Sequence, residues 1–165
     1  MRLLISLTKY LEPEQRLAQV ERIAALSRAR LPVDLMMTSG QVAALHRAGM
    51  RIGAHTLNHP ILSRVSDDVA RAEIKGSRER LAEITGGPID LFAYPNGRPG
   101  ADFGPRDARI ASDLGFLAAF TTSPGAASRQ SARFELPRYT PWRRGRVGFA
   151  AQLALNLRSS PLGPP

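Results

Sequence analysis

The sequence contains no cysteine, only two lysines and no long hydrophobic run. Without cysteine the chain forms no disulfide, thiolate metal site or cysteine nucleophile, so any metal must be held by histidine and carboxylate side chains. No segment approaches the roughly 18 consecutive apolar residues of a membrane-spanning helix. In the N-terminal stretch MRLLISLTKYLEPE, the apolar character ends too early for a secretory signal of about 15–30 residues. We therefore expect a soluble chain without a signal peptide, in a compartment that the sequence does not reveal.

Arginine supplies nearly all of the positive charge, and the formal net charge is +9. A surplus of this size favours contact with an anionic partner. The basic residues concentrate in PRYTPWRRGR, where Tyr139 and Trp142 are interleaved with Arg138, Arg143 and Arg144. A solvated arginine-rich surface explains the same composition, because net charge reports on association rather than on fold. We favour the solvated surface over a nucleic-acid or anionic membrane partner.

Helical and strand-like segments alternate along the chain. Apolar residues at helical spacing predict helices over 12–28, 39–49, 66–86 and 105–115, with Ser39 and Ser66 as N-caps. Short apolar runs predict strands in MRIGAH, IDLFAYP and FLAAFTT. Such alternation is typical of parallel βα units, and 165 residues suit one core.

Two polar stretches directly follow predicted strands. His55 and His59 come after MRIGA, and YPNG, residues 94–97, comes after DLFA. In parallel α/β folds the functional residues lie at the carboxyl edge of the sheet, so we expect these stretches to meet there.

The spacing of His55 and His59 is compatible with a metal site and with a plain pair of hydrogen-bonded loop histidines. Zinc binds neutral imidazole, and a catalytic site usually has about three protein ligands and an open position. Pro60 disfavours the α region for His59, so we expect extended or turn backbone there. The pair therefore differs from the helical His-Glu-x-x-His motif of metalloproteases.

Three elements between residues 37 and 138 fit one family pattern. A His-Thr-x-x-His-Pro element is formed by His55, Thr56, His59 and Pro60, the helix-forming EIKGSRERLAEITG follows it, and YPNG supplies a strand-end loop with tyrosine and proline. In these elements the chain resembles the polysaccharide deacetylase family, the NodB-homology domain. The resemblance implies an α/β fold, a partial and distorted (β/α) barrel whose N-terminal strands are missing.

The resemblance also implies a function. It indicates a metal-dependent hydrolase that removes N-acetyl groups from a polysaccharide or oligosaccharide. His55 and His59 would bind the divalent metal, with zinc expected first and nickel or cobalt as alternatives. Tyr94 would be catalytic, through a main-chain N–H that stabilises the oxyanion. The residues implied in substrate binding are Pro95, Asn96, Gly97 and Arg138.

The sequence also departs from the family pattern. The Thr-Phe-Asp-Asp-Gly motif, which supplies the base and the third metal ligand, has no counterpart, since MRLLISLTKY contains no acidic residue. No histidine follows His59 that could act as the general acid. His46 is expected on a helix surface. Asp102 is the local candidate for a replacement ligand, but we expect it to cap the helix that begins near Pro105.

We accordingly expect a helical N-terminal segment over 1–36, a truncated deacetylase domain over 37–142, and a basic tail over 143–165 that is partly disordered in RSSPLGPP. An incomplete barrel exposes strand edges, which predicts a homodimer through the open edge. Two alternatives to catalysis stay open. One is a carbohydrate-binding remnant without catalysis, and the other is a basic module that binds nucleic acid or an anionic surface.

Overall fold

The computed structural model describes residues 7–8, 11–28, 32, 34–139 and 145–158. The helices are α1 (Pro13–Ser27), α2 (Ser39–Arg47), a 3-10 turn (Leu62–Arg64), α3 (Asp67–Thr85), α4 (Pro105–Asp113) and α5 (Arg146–Arg158), and the strands are β1 (Leu91–Ala93) and β2 (Ala118–Phe120). Within these ranges no helix has the length and apolar character needed to cross a bilayer. The chain divides into two compact units, Met1–Arg51 and Ile52–Pro165. The boundaries expected at residues 36 and 142 stay predictions.

The first unit contains α1 and α2. Helix α1 begins with Pro13 in its first turn, as predicted, because proline has no N–H to leave unpaired there. The N-cap of α2 is Thr38, and not Ser39 as predicted. The Thr38 hydroxyl accepts the N–H of Gln41 at 3.2 Å, while the Gln41 side chain accepts the N–H of Thr38 at 2.8 Å. This reciprocal capping box places the N-cap at Thr38, one residue before the predicted N-cap.

The centre of the second unit is a parallel sheet. Strands β1 and β2 pair in parallel, with Phe92 opposite Ala119. Ala54 forms a parallel bridge to Phe92, and Leu136 forms another to Phe120. Four chain segments therefore lie side by side in sequence order with their carboxyl ends at one edge. The segment MRIGAH was predicted as a strand, but among the described residues its pairing is limited to the bridge at Ala54.

Two helices pack on this sheet region and close a small core. Helix α3 begins at Ser66, whose hydroxyl accepts the N–H of Val69, and it ends at Gly86 in the left-handed conformation, both as predicted. Helix α4 begins at Pro105 and contacts α3 and β2. The buried core consists of Ala54, Leu62, Ala70, Ile74, Ile89, Phe92, Tyr94, Phe103, Ile110, Ala111, Phe116 and Ala119. This core fixes the strand ends from which the candidate site loops emerge.

The C-terminal stretch contains one further helix, α5, which covers the apolar segment VGFAAQLALNL. Disorder was expected in RSSPLGPP, residues 158–165, but Arg158 is the last residue of this helix, and residues 159–165 lie outside the described residues. Arg143, Arg144 and Trp142 of the basic stretch lie outside them as well.

Candidate functional site

His55 is oriented by the neighbouring strand. It follows Ala54 at the carboxyl edge, and its Nδ1 lies 2.7 Å from the carbonyl oxygen of Ala93 at the end of β1. Because a carbonyl only accepts hydrogen bonds, Nδ1 carries the proton in the neutral ring, and Nε2 keeps its lone pair. Histidines that bind metals usually donate their other ring N–H in this way, since the bond fixes tautomer and ring orientation.

His59 lies beside His55. The two ring centroids are 4.9 Å apart with an interplanar angle of 73°, and both residues are exposed. A tetrahedral zinc ion with Zn–N distances of about 2.0–2.1 Å holds two imidazole centroids roughly 5 Å apart. The spacing of the two rings therefore fits two ligands of one such ion.

The loop between the histidines has an unusual backbone. Thr56 has φ 63° and His59 has φ 54°, both in the left-handed region. Such residues cost roughly 1–3 kcal/mol each and persist only where their surroundings fix them. The Thr56 hydroxyl donates to the His55 carbonyl at 2.6 Å and accepts the N–H of His59 at 3.1 Å. His59 thus lies outside the right-handed α region, as Pro60 predicted, but its backbone is left-handed and not extended.

Tyr94 is buried and both of its donors are occupied. Its ring stacks on Phe103 with centroids 3.6 Å apart, and its hydroxyl donates to the Phe134 carbonyl at 2.8 Å. Burial raises the pKa of the Tyr94 hydroxyl above its ordinary value. The main-chain N–H donates to the Phe120 carbonyl at 3.1 Å. The predicted catalytic role of Tyr94 is therefore wrong, because sheet pairing uses the N–H that was expected to stabilise an oxyanion.

Asn96 has the first backbone N–H after Tyr94, because Pro95 has none. It lies in a tight turn at φ 57°, in which the N–H of Gly97 donates to the Pro95 carbonyl at 2.6 Å. The Asn96 carbonyl accepts the Thr122 hydroxyl at 2.8 Å. Within the described residues the Asn96 N–H has no acceptor. Sequence reasoning missed this donor, although the missing N–H of Pro95 could have indicated it.

The other predicted substrate-binding residues divide into two kinds. Pro95 is almost completely buried, and a Cβ at Gly97 would lie 3.0 Å from the Thr122 nitrogen, so these two residues shape the turn. Their contact with substrate stays a prediction. Asn96 is partly exposed. Arg138 is exposed and lies at the same edge, where its main-chain N–H donates to the Ser123 carbonyl at 3.0 Å.

Asp102 neither caps α4 nor joins the histidines. It is 1% exposed, and its carboxylate accepts the main-chain N–H and the Nε–H of Arg98, both at 3.0 Å. The N-cap of α4 is Gly104, whose N–H donates to the carboxylate of Asp107 in the first turn at 2.9 Å. His46 lies on helix α2, as predicted, and is partly buried there. Across the described ranges, no three His, Asp or Glu side chains form a group that could hold a metal ion.

A profile of the polysaccharide deacetylase family matches residues 24–119, which is more than half of the chain. The chain belongs to the polysaccharide deacetylase family. The likeness extends to YxkH, a predicted polysaccharide deacetylase of Bacillus subtilis (strain 168), at 26% identity over 102 residues. That match covers 62% of this chain and 35% of YxkH. The chain therefore spans about a third of the length of this curated relative.

Solved structures show the same relationship. The Streptococcus pyogenes deacetylase PplD, solved in complex with acetate, is 30% identical with a TM-score of 0.59 over 64% of this chain and 45% of PplD. IcaB from Ammonifex degensii shares the fold at 19% identity with a TM-score of 0.58, over 75% of this chain and 54% of IcaB. The predicted fold class, a partial α/β barrel of the polysaccharide deacetylase type, is confirmed.

Proposed function

We propose that this chain contributes the two-histidine part of the active site of a metal-dependent carbohydrate N-deacetylase. The observation that carries the proposal is the pair His55 and His59, with ring centroids 4.9 Å apart at the carboxyl edge of the sheet. Family membership supports hydrolysis of an N-acetyl group on a polysaccharide or oligosaccharide. The acetate in PplD supports it further, since acetate is the acid released when an acetamide is hydrolysed.

His55 and His59 would hold a divalent ion, zinc first, with nickel or cobalt as alternatives. When bound, such an ion acts as a Lewis acid that polarises an acetamide carbonyl and activates water near neutral pH. The chain's own contribution is orientation. The bond from Nδ1 of His55 to the Ala93 carbonyl leaves Nε2 as the ligand atom. The ring of His59 is placed by the left-handed turn that precedes Pro60.

The oxyanion of an acetamide under attack needs a hydrogen-bond donor that is already in place. We assign this role to the main-chain N–H of Asn96, which has no acceptor within the described residues and follows β1 directly beside the segment that carries His55. The Arg138 side chain at the same edge is the proposed contact for a polar group of the substrate.

A carbohydrate-binding role without catalysis is the second candidate function. It is favoured because no carboxylate joins His55 and His59 as a third ligand among the described residues. A remnant of this kind predicts glycan binding that does not change when a chelator is added. A basic interaction module, suggested by the net charge of +9, instead predicts binding that falls steeply with salt. The homodimer through an open barrel edge stays a prediction that sedimentation tests.

Calorimetry with zinc tests the proposed function. The wild-type chain is expected to bind zinc in the micromolar range or tighter, and the double variant His55→Ala, His59→Ala is expected to lose that binding. His46→Ala is the matched control, because it removes the remaining histidine from helix α2 in the other unit. Acetate release from N-acetylglucosamine oligomers then tests the reaction. Zinc binding that is absent, or equal in the wild type and the double variant, would contradict the metal site.

A further inference from the structure

One carboxylate on helix α3 holds the loop between the two histidines. Oε2 of Glu73 accepts the main-chain N–H of Leu57 at 2.9 Å and that of Asn58 at 2.8 Å. Oε1 of the same side chain accepts Nδ2 of Asn58 at 2.7 Å. Both main-chain N–H groups between Thr56 and His59 are therefore bound by a residue 15 positions further along the chain than Asn58.

The residues on either side of this held segment explain why it needs a strong acceptor. Thr56 and His59 are both left-handed, at φ 63° and 54°. Threonine is β-branched and rarely adopts such a conformation. A loop with two disfavoured residues relaxes unless outside contacts fix it. Hydrogen bonds to an ionised carboxylate are shorter and stronger than neutral ones, so Glu73 is suited to fix this loop.

The loop between the histidines also lies against helix α3 at a second point. A Cβ at Gly76, about one turn after Glu73, would lie 2.6 Å from Cδ1 of Leu57. Glycine in a helix interior is unfavourable compared with alanine. Here it leaves room for the Leu57 side chain against the helix. The loop thus rests on α3 through the Glu73 carboxylate and through the space at Gly76.

We propose that Glu73 is a positioning residue that presents His59 beside His55. It acts through the segment Leu57–Asn58 and not as a metal ligand. The inference rests on the proposed function only where it concerns metal binding, since the pairing of the two rings is a property of the folded chain without metal. Glu73 ties the loop to α3, and Nδ1 of His55 ties the other ring to β1.

The test compares Glu73→Ala and Glu73→Gln with Glu79→Gln in the full chain. Glu79 lies on the same helix, is exposed and pairs only with Lys75 among the contacts seen here, so its variant makes the same charge change away from the loop. In the metal-free chain we expect faster amide hydrogen exchange at Leu57 and Asn58, and loss of the NOE between the rings of His55 and His59, in Glu73→Ala. Zinc affinity is expected to fall by about tenfold to hundredfold, the usual effect of removing a supporting partner of a metal ligand.

The variant Glu73→Gln tests whether the negative charge of Glu73 is needed or only its hydrogen bonds to the loop. Its amide oxygen can accept both main-chain N–H groups, and a rotated Asn58 amide can accept its NH2, so the variant keeps neutral hydrogen bonds. We expect exchange rates and zinc affinity between those of the wild type and Glu73→Ala. If Glu73→Ala does not fold, as judged by circular dichroism, Glu73→Gln carries the test alone.

The outcomes distinguish this inference from the proposed function. If the wild type binds zinc and the Glu73 variants match Glu79→Gln in exchange, NOE and affinity, the positioning role is overturned while the metal site stands. If the wild type binds no zinc, the proposed function fails. Exchange and NOE in the metal-free chain then still decide whether Glu73 holds the histidine loop.

Discussion

Replacing Tyr94 with phenylalanine removes the hydroxyl that donates to the Phe134 carbonyl at 2.8 Å and leaves the ring in place. The stacking on Phe103 needs only the ring, and the N–H bond to Phe120 needs only the backbone. The expected loss is therefore one hydrogen bond. Such a bond contributes about 0.5–1.5 kcal/mol net, and an acceptor left without a partner costs about 1–3 kcal/mol.

Because Phe134 is only partly buried, water can reach part of its surroundings, and we expect the lower end of that range. The free energy of unfolding should fall by about 1–2 kcal/mol, which lowers Tm by roughly 2–4 °C per kcal/mol in a chain of this size. Urea unfolding followed by circular dichroism measures the loss. Tyr94→Ala is the contrast, because deleting a buried aromatic side chain costs about 3–5 kcal/mol.

Zinc affinity is the second readout for Tyr94→Phe. We expect it to equal that of the wild type, since the Tyr94 hydroxyl donates to the Phe134 carbonyl and Tyr94 is fully buried, whereas both histidines are exposed. A loss of zinc binding or of acetate release at unchanged stability would refute the reasoning. It would mean that the hydroxyl takes part in the site after all.

Two further predictions concern Tyr94 and the YPNG loop, residues 94–97, that begins with it. Burial raises the pKa of Tyr94, so the folded state keeps the hydroxyl proton better than the unfolded state, and stability that is present below pH about 10 should be lost as the pH rises above it. Urea unfolding against pH should show this decline in the wild type and less of it in Tyr94→Phe. Gly97→Ala should destabilise the chain by more than Gly100→Ala, because both glycines have positive φ, at 72° and 73°, but only Gly97 has a backbone nitrogen 3.0 Å from its added Cβ. The left-handed conformation alone costs alanine about 1–2 kcal/mol, and equal losses in the two variants would remove the steric argument.

The parts of the fold that depend on neighbours in sequence could be predicted. Ser66 and Gly86 mark the ends of α3, and Pro105 marks the start of α4, because caps and proline act within a few residues of themselves. The choice between Thr38 and Ser39 as the N-cap of α2 could not be predicted from the sequence. Both side chains can accept the bond, and the backbone decides between them.

The errors concern contacts between distant segments. The N–H of Tyr94 is used by Phe120, which follows from the order of strands in the sheet and not from the sequence near Tyr94. The Asp102 error is the exception, because it concerns a local contact: the carboxylate expected to cap a helix is buried and pairs with Arg98, four residues earlier in the chain. The role of Glu73 had no local signal either, since its partners lie across a loop and a turn of 3-10 helix.

The two histidines are adjacent because three separate elements meet. Ala54 and β1 pair in parallel, which brings the Ala93 carbonyl to Nδ1 of His55. Helix α3 holds the loop that carries His59 through Glu73. None of these contacts is local in sequence, so the pair exists only in the folded chain. A ligand that binds this pair and not the unfolded chain must then stabilise the fold, and zinc should raise Tm in the wild type but not in the double histidine variant.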